Sequence, residues 1–237
     1  MGFSQLILTT YFTQKEDPQR IGVHHESDQF GKIQKWYESV TRLGMHAVIF
    51  HDGLSREFTE QYTNDNVQFV PYSLQTGRSL NDERFYCYRD FLRAHPEVEQ
   101  VFMTDLFDVD FLRNPFNLID EGKYDFYAQE GMGGLLNGKK RYAANQMKCV
   151  YGRVFYPDRV SLNAGIIGGR RDKVLALLEL MTTDLSGDEK GHNTHTGVFN
   201  RRIHDVCPDA TRICYGFPLH SEFKKYEEDQ DFYIRHK

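Results

Sequence analysis

The chain has 237 residues, of which 40 % are apolar and 14 % aromatic, and its formal net charge is −5. That length suits one large α/β domain or two small ones, and the acidic balance excludes a protein built around a broad basic face for nucleic acid. The four cysteines, Cys87, Cys149, Cys207 and Cys214, form no C-x-x-C pair, which argues against a zinc ribbon or thioredoxin-like motif and for reduced core thiols. No apolar run reaches the ~18 residues of a membrane span. The N-terminus lacks a basic region before its apolar run and a small-residue cleavage site, so the expectation is a cytoplasmic protein without a membrane span.

Gln5–Phe12 (QLILTTYF) is short, apolar and β-branched, and reads as a first strand. Residues 13–31 form a polar loop with Pro18, Gly22 and Gly31. Ile33, Trp36, Tyr37, Val40 and Leu43 then follow helical spacing, and Gly44 suits the position just past the helix end. His46–Phe50 reads as a second strand, residues 55–63 as a short helix, and Val67–Tyr72 as a third strand. Asn81 is placed to cap a helix whose Phe85, Tyr88 and Leu92 share a face, with Pro96 beyond its end. Val101–Phe111 (VFMTDLFDVDF) follows as a fourth strand. This β-α-β-α-β-α-β order predicts a Rossmann-like, mostly parallel sheet with helices on both faces. Downstream, Tyr124–Gln129 and Ser161–Ile167 read as strands separated by a long Gly-, Lys- and Tyr-containing excursion. Helices are expected over about 172–183 and 195–206, then a short strand at Thr211–Tyr215 and a polar, aromatic tail. A single domain is expected, in which the alternating pattern (1–115) gives way to a smaller mixed half (116–237).

In open parallel sheets, ligands bind beyond the carboxyl ends of the strands. Those ends carry Thr9–Tyr11, His51–Asp52, Tyr72 and Asp105–Asp110. Burying an unpaired carboxylate costs roughly several kcal/mol, so Asp105, Asp108 and Asp110 at the end of an apolar run call for partners. One reading is solvation or ion pairing, for example with Arg113 or Arg84. The other is a divalent cation, since hard ions such as Mg²⁺ and Mn²⁺ take carboxylate oxygens and share their remaining positions with phosphates. Along an extended strand, residues two apart share a face and residues three apart do not. Asp108 and Asp110 can therefore share a ligand on extended chain, whereas Asp105 and Asp108 can do so only if the chain turns after Asp105. An EF-hand loop is excluded by the spacing.

The segment VFMTDLFDVDFLRNPF resembles the metal-binding strand of glycosyltransferases with the nucleotide-diphospho-sugar (GT-A) fold. Asp105-Leu-Phe-Asp108 is similar to their Asp-x-x-Asp form, Asp108-Val-Asp110 to their Asp-x-Asp form, and Asn114-Pro115 follows as in the family. The resemblance covers most of the chain and implies a nucleotide-binding half (1–115) and a sugar- and acceptor-binding half (116–237). It implies a metal site of Asp105, Asp108 and a C-terminal His, best matched by His236 in Ile234-Arg-His236-Lys237, with His220 the runner-up; Asp110 would be a supporting residue neutralised by Arg113. The metal would be Mn²⁺ or Mg²⁺. It implies donor-binding roles for Asp105 itself, Arg84 (within Asn81-Asp82-Glu83-Arg84), Thr9, Tyr11 and Asp52, for Asn163, Ala164 and Gly165 beside the sugar, and for Lys237 on the β-phosphate. Where the family often carries an acid ahead of a late Phe-Asn pair, this chain has His195 before Phe199-Asn200. The expected activity is transfer of a hexose or similar sugar from a UDP-sugar to a hydroxyl of a carbohydrate or glycoconjugate acceptor. If the anomeric centre inverts, a base is required, with Glu130 the first candidate and His195 the second; if configuration is retained, no such base is needed, and the sequence leaves both open. Loop 13–31 is a candidate lid. His192 and His195 could also bind a soft metal. Rival readings are a non-catalytic nucleotide- or sugar-binding module and a sugar-phosphate nucleotidyltransferase. The latter usually shows a Gly- and Lys/Arg-rich loop after the first strand, where this chain has TTYFTQKEDP. An aspartyl phosphatase would carry Asp-x-Asp directly after that strand, and none is there.

Overall fold

A computed structural model describes residues 2–20, 22–75, 77–138, 142–186, 193–220 and 231–236. The strands are β1 (Gln5–Tyr11), β2 (Ala47–His51), β3 (Val67–Pro71), β4 (Gln100–Thr104), β5 (Val109–Phe111), β6 (Phe126–Leu135), β7 (Val160–Arg170), β8 (Ile213–Cys214) and β9 (Ile234–His236). Seven of them form one mixed sheet in the order β3-β2-β1-β4-β7-β6-β8. Neighbours from β3 to β4 run parallel, β7 lies antiparallel between β4 and β6, and β8 is parallel to β6. The small pair β5–β9 is antiparallel and separate. The fold class is thus α/β with a mostly parallel sheet, and this sheet takes strands from both halves of the chain.

The α-helices are α1 (Phe30–Arg42), α2 (Arg56–Tyr62), α3 (Leu80–Ala94), α4 (Phe116–Asp120), α5 (Tyr142–Tyr151), α6 (Arg171–Leu185) and α7 (His195–Val206). Helix α1 buries Ile33, Trp36 and Val40 on one stripe and ends at Gly44, whose φ of +64° is the left-handed conformation glycine adopts without strain. Helix α3 starts earlier than the sequence suggested. Ser79 is the cap, its hydroxyl accepting from the Asp82 amide at 3.2 Å, while Asn81 lies in the first turn and donates to Asn193 at 3.3 Å.

Alternation along β1 feeds two cores. Leu6 and Leu8 pack toward α3, α6 and α7, while Ile7 and Tyr11 join Trp36, Val40 and Phe111 on the other face. Helix α5 occupies the long excursion that the sequence reading left unassigned, and Gly197 lets α7 come against it, because a Cβ there would meet the Met147 amide nitrogen at 2.5 Å. Among the described residues, no helix is long and apolar enough to cross a membrane.

The predicted fourth strand is broken. β4 stops at Thr104, the chain turns through residues 105–108, and β5 resumes at Val109. A second irregularity lies between β6 and β7, where Ala128 pairs with Ile167 but the next residue, Gln129, pairs with Asn163. The three residues between, Ala164–Ile166, lean to β4 instead: Ile166 pairs with Thr104, and the Asp105 amide donates to the Gly165 carbonyl at 2.8 Å. Beside the end of β4, one of the sheet's ladders therefore opens into a gap.

Candidate functional site

Strands β2 and β4 flank β1, so the connections leave to opposite sides there and the strand ends splay into a crevice. A cleft of about 580 Å³ sits at that place, walled by Thr10 and Phe12 from the end of β1 and by Asp105–Asp108 from the turn after β4. Asp17, Arg20 and His25 of loop 13–31 and Lys32 and Lys35 of α1 form another wall, with Asn81 and Arg84 of α3 facing them. The loop is held down at both ends. Asp52 accepts from the amides of Thr13 (2.7 Å) and Gln14 (3.0 Å), and Tyr11 Oη donates to the Glu26 carbonyl at 2.7 Å.

The turn after Asp105 lets Asp105 and Asp108 face one point, and β9 brings His236 to the same point. One ligand atom from each of the three lies within 4.8 Å of the others. His236 Nε2 is 3.6 Å from Asp105 Oδ2 and 3.3 Å from Asp108 Oδ1. Adjacent ligands of a six-coordinate cation with ~2.1 Å bonds stand about 3 Å apart, so these residues fit a hard divalent ion with a small closure. The gap between β6 and β7 makes room for them. A Cβ on Gly165 would fall 2.5 Å from both Asp105 Oδ2 and His236 Cε1. His236, only 2 % exposed, contacts Gln129 Oε1 through Nδ1 at 2.5 Å. Sequence reasoning missed Gln129, because nothing local distinguishes it from any polar strand residue.

Arg84 binds Asp105 through Nη1 and donates through Nη2 to the Ala164 carbonyl at 3.2 Å. Burial opposes its charge, but the facing Asp105 carboxylate, its hydrogen bond to the guanidinium and the nearby Tyr88 and Asp82 together hold the guanidinium above its ordinary pKa. Burial likewise pushes the Asp105 carboxyl up, but the Arg84 guanidinium opposes it through its charge and its hydrogen bond, and Asp105 lies below the usual carboxylate range. Asp110 takes no part in the convergence. It is 8 % exposed and pairs with Arg235 at 2.9 and 2.5 Å, not with Arg113, which pairs with Asp231.

Other sequence-predicted residues fall on either side of this site. Asn163, Ala164 and Gly165 form its β7 wall, the Asn163 Oδ1 accepting from the Gly165 amide at 2.6 Å. Thr9 and Tyr11 do not reach the cleft. Thr9 is 1 % exposed and donates to the Thr104 carbonyl, and Tyr11 is fully buried under Phe107. Alternation along β1 gives the cleft to Thr10 and Phe12 instead. Asp52 is spent on the loop backbone. His195 lies beneath the site. Its amide donates to Asp82 Oδ1 at 3.0 Å, its ring is 4 % exposed against Phe85, and burial holds its pKa below the ordinary range. Glu130 follows Gln129 on β6, its amide donating to His220 Nε2 at 2.8 Å, so His220 serves β6 and stands outside the ligand cluster. Lys237 and His192 lie outside the described residues.

No family model matches the sequence, and no curated protein matches it.

Proposed function

We propose that the chain is a metal-dependent glycosyltransferase with the nucleotide-diphospho-sugar (GT-A) fold, moving a hexose or similar sugar from a UDP-sugar to a hydroxyl of a glycan or glycoconjugate. The observation that carries this reading is the convergence of Asp105, Asp108 and His236 at the crevice where the sheet's connections diverge. Mn²⁺ or Mg²⁺ would be held by these three side chains. When bound, it supplies positive charge to a diphosphate leaving group. Arg84 adds a fixed cation beside the acid pair, already paired and therefore without reorganisation cost when charge develops. The glycine at 165 lets backbone approach the sugar closely, and the Asn163 carboxamide can accept from and donate to its hydroxyls. Phe12 and Thr10 take the place on the nucleotide side that Tyr11 and Thr9 do not reach.

On the acceptor side, if transfer inverts the anomeric centre, Glu130 is the proton acceptor, whereas retention needs no such base. It sits on β6 next to Gln129, and a Cβ on Gly216 would come within 3.8 Å of its Oε2, which places the carboxylate against the exposed Tyr215–Phe217 loop. A base must lie within hydrogen-bond reach of the hydroxyl it deprotonates, and His195, buried beneath the site, is not so placed.

The test is a screen of nucleotide-sugars with Mn²⁺ for release of nucleoside diphosphate, with Asp108→Ala alongside. UDP release that requires the metal and is lost in the variant is the expected result. Full activity in Asp108→Ala overturns the assignment. Metal-independent UDP binding without turnover favours a binding module.

A further inference from the structure

We propose that Gln129 is a positioning residue that sets the proton of His236 on Nδ1 and so presents an unprotonated Nε2 to a cation; this rests on the metal reading above. Gln129 is fully buried and presents Oε1 to His236 Nδ1 at 2.5 Å. A carboxamide oxygen only accepts, so Nδ1 must carry the proton. The form of imidazole that ligates a cation is neutral and has one N–H, so with that proton on Nδ1 the lone pair is on Nε2. That lone pair faces Asp105 Oδ2 at 3.6 Å and Asp108 Oδ1 at 3.3 Å. Three electron-pair donors pointing at one another repel unless a cation stands among them.

The opposite amide orientation would have the opposite effect. A Gln129 N–H on Nδ1 would force the proton to Nε2, where it would point at the two carboxylates and occupy the coordination direction. The carboxamide therefore chooses between a ligand and a hydrogen-bond donor. Orienting a ligating histidine through its second nitrogen is a common way in which proteins tune a metal site.

A stability role does not account for this residue. Its Nε2 is buried and has no hydrogen-bond partner among the described residues, and a buried donor left unpaired costs about 1–3 kcal/mol. A leucine of similar volume would avoid that cost. The position of Gln129 follows from the gap in the sheet. It is the first β6 residue after the jump in register, and it faces Asn163 rather than continuing the ladder from Ile167. His236 enters the same gap from the far end of the chain.

Gln129→Leu and Gln129→Glu separate the possibilities, each made in the full chain. Binding of Mn²⁺ alone is measured by calorimetry, thermal stability is followed in parallel, and the His236 tautomer is read by ¹⁵N NMR of the metal-free protein in mildly alkaline buffer. Wild type is expected to show the Nδ1–H form. Gln129→Leu is expected to keep its melting temperature, populate the Nε2–H form and bind Mn²⁺ about 10–100-fold more weakly, the usual loss when such a partner is removed. Gln129→Glu, still an acceptor, is expected to retain the Nδ1–H form and restore affinity. A leucine variant that binds Mn²⁺ as tightly as wild type, or an Nε2–H tautomer in wild type, overturns the role of Gln129 alone. A wild type that binds neither Mn²⁺ nor Mg²⁺ overturns the function proposed above and this inference with it.

Discussion

Arg84 and Asp105 lie 21 residues apart in sequence and form a charge pair at the floor of the cleft, with the Arg84 side chain 9 % and the Asp105 side chain 30 % exposed. The pair answers one question about the acidic turn: one of its carboxylates is neutralised before any cation arrives. Arg84→Met should therefore act in two directions. Loss of a charge-assisted hydrogen bond to Asp105 and of the bond to the Ala164 carbonyl should cost about 2–3 kcal/mol in a urea titration. Removing a competing cation should at the same time tighten Mn²⁺ binding measured by calorimetry, while UDP release slows. Weaker Mn²⁺ binding in the variant would mean that Arg84 organises the ligands and does not compete with the ion.

Gly165 offers a local test of the site. Its backbone carbonyl is fixed by the Asp105 amide, so a methyl group there cannot move away from Asp105 and His236. Gly165→Ala should displace those two side chains, cost about 1–3 kcal/mol from overpacking, and weaken Mn²⁺ binding more than the stability loss explains. Circular dichroism should show the fold intact. Unchanged Mn²⁺ affinity would show that the ligands have slack which the packing does not suggest.

Glu130 should separate donor chemistry from acceptor chemistry. If it accepts the acceptor's proton, Glu130→Gln should lower transfer by about 10²–10⁴-fold, with UDP and Mn²⁺ affinities unchanged. The amide keeps the shape of the side chain, and the backbone bond to His220 is untouched. A loss that appears in donor binding instead would place Glu130 on the other side of the reaction.

How much of this could be read beforehand depends on how local each determinant is. The parallel half was legible because each strand is a continuous apolar run and each helix, as in Ile33, Trp36 and Val40, has its own period. The acidic turn was legible because carboxylates ending a buried strand need partners, but spacing left the pairs Asp105/Asp108 and Asp108/Asp110 both open, and only the family resemblance favoured the first. Which face of β1 looks into the cleft was not, since both faces are buried and alternation alone ranks Thr9 and Tyr11 equally with Thr10 and Phe12. The caps of α3 compete within Arg78-Ser79-Leu80-Asn81, and only the structure shows that Ser79 reaches an amide. The pairing of Asp110 with Arg235 and the contact of Gln129 with His236 join residues 125 and 107 positions apart. No spacing rule spans such distances. Helix α5 escaped because the glycine- and lysine-rich stretch before it reads as loop.

His204 on α7 supplies a pH dependence remote from the cleft. It is 4 % exposed beside the Tyr156 ring, and neither ring nitrogen has a hydrogen-bond partner among the described residues. Burial, reinforced by the Arg159 charge, pushes its pKa from 6.5 down to about 4. Above pH 6.5 the ring is neutral in both folded and unfolded chains, and His204 contributes no pH dependence. As the pH falls from 6.5 toward 4, the unfolded chain takes up a proton that the folded one refuses, so stability drops. Below about 4 both are protonated and the loss levels off. Between about pH 7.5 and pH 5 this single group should remove on the order of 2 kcal/mol. Urea unfolding of wild type and His204→Leu across that interval gives the difference directly, because contributions from distant titrating groups are common to both and cancel. The leucine variant should lose less stability toward acid by about that amount. Parallel curves for the two proteins would show that His204 is protonated in the folded state.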